Sequence, residues 1–195
     1  MKHLFITAAL VAVLASCTAV DKTAIQTVPY PNHVEMKAGE FSVAGTGFHY
    51  DPAMDEASVN IVKAFAGKLS DICGVESTVS EGTSKTGFSF VINSELPAEA
   101  YELRIRKNGV CVEASGLNGF NYAVQTMKQM LPSEIFGNEV AADKEWTLPC
   151  CEIKDEPRFS YRGMHLDVSR HFFDLSRLHN IDDNVGKLKN GRKLY

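Results

Sequence analysis

The chain has 195 residues, with 20 Lys and Arg against 24 Asp and Glu and a formal net charge of −4. That balance leaves no basic face for neutralising phosphates and argues against nucleic acid as a partner. Hydrophobic residues are 45% and charged residues 23%, which excludes global disorder, and past the N-terminus no apolar run reaches the ~18 residues of a membrane span.

Lys2 and His3 precede an apolar run from Leu4 to Ala15, the layout of a secretory signal. The run ends in Leu14-Ala15-Ser16-Cys17, which resembles a bacterial lipobox. In that reading residues 1–16 are cleaved and the Cys17 thiol is lipidated, giving a stable membrane anchor of several acyl chains. A plain signal with an incidental cysteine is the other reading. Residues 17–29 are then a tether, and Tyr30-Pro31 opens the ordered part. The remaining cysteines are Cys73, Cys111, Cys150 and Cys151. They form no C-x-x-C pair, and the His spacing suggests no zinc site. Cys73 and Cys111 read as small buried hydrophobes. Cys150 and Cys151 point to opposite faces if extended, so they do not pair with each other.

Short β-type runs at Phe41, Val43, Phe48 and Tyr50 are split by Gly45 and Gly47. A helix follows Asp51-Pro52, because Val59, Val62, Phe65, Ala66, Leu69 and Ile72 recur at i, i+3, i+4 and i+7. Gly74 sits just past its end, where a left-handed residue is wanted. Phe88 to Ile92 reads as a mostly buried strand. Tyr101, Leu103 and Ile105 alternate with Glu102, Arg104 and Arg106, and Val110, Val112 and Ala114 alternate back. This predicts a hairpin turning at Asn108-Gly109, with one wet face. Phe120, Ala123, Val124, Met127 and Leu131 share one face of a second helix, which Pro132 stops. Its methionines read as core filler. The fold class expected is α+β: a mainly antiparallel sheet with two helices packed on one face, over residues 30–150.

Beyond it, Met164, Leu166 and Val168 alternate with His165, Asp167 and Ser169, a period-two strand followed by Arg170 and His171. The run Pro157-Arg158-Phe159, Arg162-Gly163, and Leu166-Asp167-Val168-Ser169-Arg170-His171-Phe172 resembles the opening of the catalytic barrel in glycoside hydrolase family 20, the β-N-acetylhexosaminidases. The helix Gly119-Phe120-Asn121-Tyr122-Ala123-Val124-Gln125-Thr126 resembles the last helix of the α+β domain that precedes this barrel in the family. The resemblance covers about residues 30–173.

The resemblance implies that residues 151–173 begin a (β/α)8 barrel and that Arg170 binds hydroxyls of a terminal N-acetylhexosamine. A planar guanidinium suits adjacent hydroxyls, and the end of a barrel strand is the right rim. Asp167 and His171 are expected to support it. Arg162 is expected to be structural, at the base of the strand. The partners implied are N-acetylhexosamine-containing glycans, with no cofactor and no metal. In the family the substrate's own acetamido oxygen attacks the anomeric carbon, while a Glu protonates the leaving oxygen and an Asp orients the acetamido group. These lie in a Gly-Asp-Glu motif that does not occur here. Asp55-Glu56 falls at a helix start and Asp155-Glu156 at the interdomain junction, so no catalytic residue is assigned. A complete barrel needs ~250 residues, far more than follow Tyr161. Residues 174–195, with Asn184, Gly186, Asn190 and Gly191, read as an irregular, truncated or out-of-frame tail. The expectation is an exported hexosaminidase fragment, periplasmic or on the outer membrane, inactive by itself. The alternatives are a non-catalytic surface lipoprotein that binds glycan or a protein partner, and a nonfunctional remnant.

Overall fold

The computed structural model describes residues 25–163. The expectations placed on Cys17, on the first barrel strand, on Arg170 and on the tail lie outside the described residues.

Seven strands form one sheet: β1 (His33–Ser42), β2 (Phe48–Tyr50), β3 (Val79–Glu81), β4 (Gly87–Ile92), β5 (Tyr101–Arg106), β6 (Gly109–Ala114) and β7 (Thr147–Asp155). Helix α1 (Glu56–Cys73) lies between β2 and β3 in the chain, and α2 (Leu117–Met130) follows β6. A 3-10 turn at Ser133–Phe136 completes the elements. The spatial order is β1-β7-β5-β6-β4-β2-β3.

Both helices lie where their apolar stripes require. Val62, Phe65, Leu69 and Ile72 of α1 and Phe120, Ala123, Val124 and Met127 of α2 are buried with Phe48, Phe88, Phe90, Leu103, Ile105 and Val112 of the sheet. The aromatic centre is tight: the Phe48 and Phe88 rings stack at 4.3 Å, and Phe65 meets both edge-on at 5.8 Å. The opposite sheet face carries ion pairs instead, Arg104 with Glu102 and Glu113, Lys154 with Glu102, and Arg106 with Glu152. That is the wet face the alternation of β5 implied.

Asp55 caps α1. Its carboxylate accepts the Ser58 N–H at 2.7 Å, and at the other end Gly74 adopts φ 69° and donates its N–H to Ser70 O at 3.0 Å. The Ser58 N–H holds the Asp55 carboxyl below its ordinary value. A lowered native pKa means the cap's contribution is present above the unfolded value, near pH 4, and is lost as pH falls further. Asp55→Asn should therefore unfold at lower urea than the parent at pH 7. The gap should narrow at pH 3, and a gap unchanged with pH would show that the charge has no part in the cap.

Four expectations change. The sheet is mixed rather than mainly antiparallel: β1–β7, β5–β7 and β5–β6 are antiparallel, whereas β2–β3, β2–β4 and β4–β6 are parallel. The α1 crossover returns β3 parallel to β2, and the hairpin inserts with β6 rather than β5 beside β4. The hairpin turns at Lys107-Asn108, because Arg106 pairs directly with Gly109. Gly109 is needed for close approach instead: a Cβ there would meet Gly87 O and Lys85 O at 2.9 Å. The first strand starts at His33, well before Phe41. Finally, the sheet continues past residue 150, since β7 runs to Asp155. At the other end, Ile25 joins the core and Val28 N–H donates to Gln129 Oε1 at 2.7 Å, so packing begins inside the 17–29 stretch.

Among the described residues the cysteines are free. Cys73 is buried, as read from the sequence, while Cys111 is half-buried on the charged face. Cys150 and Cys151 are both buried. Burial, followed by the Cys150 and Glu152 charges, pushes the Cys151 thiol up to about 12, so it stays protonated and packs as a small apolar group.

Candidate functional site

A group of linked polar side chains lies where β7 ends and the chain leaves the sheet. A hollow of about 410 Å³ is lined there by Tyr30, Tyr101, Tyr122, Asp155, Phe159 and Arg162, among others. Its walls come from four stretches: the segment before β1 supplies Tyr30 and Asn32, the period-two pattern of β5 turns Tyr101 inward, α2 presents Tyr122, and residues 155–162 run across them.

Two linked groups hold these parts together. In the first, Asp155 accepts the Asn32 N–H at 3.0 Å and the Tyr101 hydroxyl at 3.3 Å. The Tyr101 oxygen also lies 2.6 Å from Thr126 Oγ1, and Asn32 Nδ2 donates to Glu156 O at 2.8 Å. Burial, and then the Asp155 charge, raise Tyr101 far above a normal phenol, so it serves only as a neutral hydrogen-bonding group.

In the second, Arg162 Nη2 donates to Glu99 Oε1 at 2.7 Å and to the Tyr122 hydroxyl at 3.0 Å. The Tyr122 O–H donates to the same Glu99 oxygen at 2.9 Å, closing a triangle. The guanidinium stands 5.9 Å from the centre of the Tyr122 ring, and Arg162 Nη1 donates to Phe159 O. The Glu99 hydrogen bond raises the already high Arg162 value further; Tyr122 is raised by burial and then by Glu99. Arg162 therefore stays charged and Tyr122 neutral.

The chemistry this permits is fixation. Both carboxylates, Asp155 and Glu99, are engaged by donors. Asp155 is the last residue of β7 and Glu156 follows it, while Asp55 caps α1 and Glu56 opens it. Arg162 is tied to Glu99 and Tyr122, partners that were not anticipated; the strand at whose base it was expected lies outside the described residues. Glu99 sits in an ordinary Pro97-Ala98-Glu99-Ala100 loop, where no local pattern marks it. Arg170 and Cys17 lie outside the described residues.

A family model described as "Glycosyl hydrolase family 20, domain 2" matches residues 24–156. The chain is 35% identical over 137 residues to a β-hexosaminidase of Porphyromonas gingivalis, covering 68% of this chain and 17% of that protein. It is 30% identical over 159 residues to a β-N-acetylhexosaminidase of Cellulomonas fimi, covering 79% of this chain and 30% of the relative. Among solved structures it is similar to the family 20 β-N-acetylhexosaminidase of Streptomyces coelicolor, with a TM-score of 0.71 at 27% identity, covering 83% of this chain and 32% of that one. The chain thus spans less than a third of each of these relatives. With the family's domain matched over more than half of its residues, this chain belongs to glycosyl hydrolase family 20 and carries that family's domain 2.

Proposed function

We propose that the chain is the amino-terminal part of an exported β-N-acetylhexosaminidase, and that its α+β domain is the non-catalytic support on which the barrel begins. The observation that carries this reading is continuity. The domain matched over residues 24–156 runs directly into Pro157-Arg158-Phe159 and the Arg162-to-Phe172 motif with no intervening linker. In this reading Met164 to Ser169 is the first barrel strand and Arg170 grips hydroxyls of a terminal N-acetylhexosamine at its end. Cleavage by the complete enzyme is substrate-assisted, so no nucleophile is asked of the protein. The residues before Cys17 direct export, and Cys17 carries the lipid that holds the protein to a membrane.

These 195 residues contain no Gly-Asp-Glu, and catalysis needs the acid, the orienting carboxylate and the pocket together. The purified chain should therefore release no p-nitrophenol from p-nitrophenyl N-acetyl-β-glucosaminide above the buffer rate. Turnover that scales with protein concentration would overturn the assignment of no catalytic residue. Calorimetric binding of chitobiose by the inactive chain would favour a glycan-binding lipoprotein instead.

A further inference from the structure

The family domain ends at residue 156, yet Arg162 is tied back into it. The Arg162 and Glu99 side chains are only 13% and 25% exposed. Taking such a pair from water costs more than an exposed pair does, and the return depends on exact geometry. Tyr122 belongs to the buried apolar cluster, and Glu99 and Arg162 bond to its hydroxyl. What the triangle contributes is one orientation. It joins a loop residue before β5, a helix residue of α2 and a residue of the exit segment through one guanidinium nitrogen, Nη2, which donates to both partners, while Nη1 donates to the Phe159 carbonyl. The other end of that segment is pinned independently, by Asn32 on Asp155 and on the Glu156 carbonyl. Between the two anchors Phe159 and Tyr161 project outward, 69% and 84% exposed.

We infer that Glu99, Tyr122 and Arg162 form a clasp that fixes the direction in which the polypeptide leaves the domain, with Glu99 and Tyr122 as positioning residues for everything beyond Gly163. The use of that aim, to start a barrel in register, rests on the proposed function; the clasp rests on its own geometry.

The test uses the whole 195-residue chain. Chymotryptic cleavage after Phe159 and Tyr161 is followed by mass spectrometry, alongside amide exchange at Leu103 and Val112 in the sheet. Glu99→Gln and Arg162→Met should speed cleavage at those two bonds roughly tenfold or more, the scale of a lost charge-assisted hydrogen bond. Sheet exchange should not change. The swapped pair Glu99→Arg with Arg162→Glu should recover part of the protection. Tyr122→Phe keeps the ring and removes only the hydroxyl, so it decides the matter if a charge variant fails to fold, with an expected rise of about threefold. Unchanged cleavage in the variants, or sheet exchange rising in step with cleavage, would refute the clasp. Failure of the hexosaminidase reading shows separately, as calorimetric binding of chitobiose by the inactive chain, and leaves these rates as they are.

Discussion

Gly119→Ala should destabilise the domain by about 3 kcal/mol or more, although alanine is the better helix former. Two effects oppose each other here. In an open helix the substitution gains about 1 kcal/mol from propensity. In α2, however, a Cβ at this position would lie 2.3 Å from Ala100 O and 2.7 Å from Ala114 Cβ. The first of these is backbone at the entrance to β5 and the second is the last residue of β6, so neither can move without shifting a strand. Helix α2 rests on the sheet through this glycine, and the steric cost exceeds the propensity gain. A urea titration of the two proteins reads the sign directly. A midpoint equal to or above the parent's would mean that the helix sits farther from the sheet than described.

Phe88→Ala should cost about 3–5 kcal/mol, a large share of the ~5–15 kcal/mol that a domain of this kind commands. Phe88 is fully buried in β4. Its ring stacks on Phe48 at 4.3 Å and meets Phe41 and Phe65 edge-on at 5.5 and 5.8 Å. Truncation removes all three contacts and leaves a void walled by β2, β4 and α1, elements too rigid to close it. Phe136→Ala, at a ring 40% exposed, supplies the contrast and should cost less than ~1 kcal/mol. Equal midpoint shifts for the two variants would show that the aromatic centre is not the core.

Much of this architecture could be read before any coordinates. The α1 stripe from Val59 to Ile72, its glycine stop and its acidic start are features of one stretch of chain, and all appear where the pattern put them. The same holds for β4, for both arms of the β5–β6 hairpin and for α2. The family could be read from the Pro157-to-Phe172 run, because that motif is long.

Strand β7 was harder to read. Leu148, Cys151 and Ile153 all reach the core, but positions 148 and 151 have opposite parity. The parity changes between Cys150 and Cys151, which are both buried, and nearby the partner strand shifts register, four steps of β1 from Met36 to Glu40 spanning two of β7. Broken alternation and a proline at 149 hide the strand from a period-two search. Gly109 misled for a related reason. Asn-Gly marks turns in general, but here the glycine makes room for the backbone of β4, a strand far from it in sequence.

The sequence by itself determined both helices, β4 and the β5–β6 hairpin, the apolar face of each, and the family, because hydrophobic period, caps and motifs are properties of neighbouring residues. Only the tertiary structure decided that β6 rather than β5 lies beside β4, that half the pairings are parallel, and that Glu99 meets Arg162 across 63 residues of chain. Such pairings follow from which closed packing buries all the apolar faces at once, a condition on the whole chain that no local window contains.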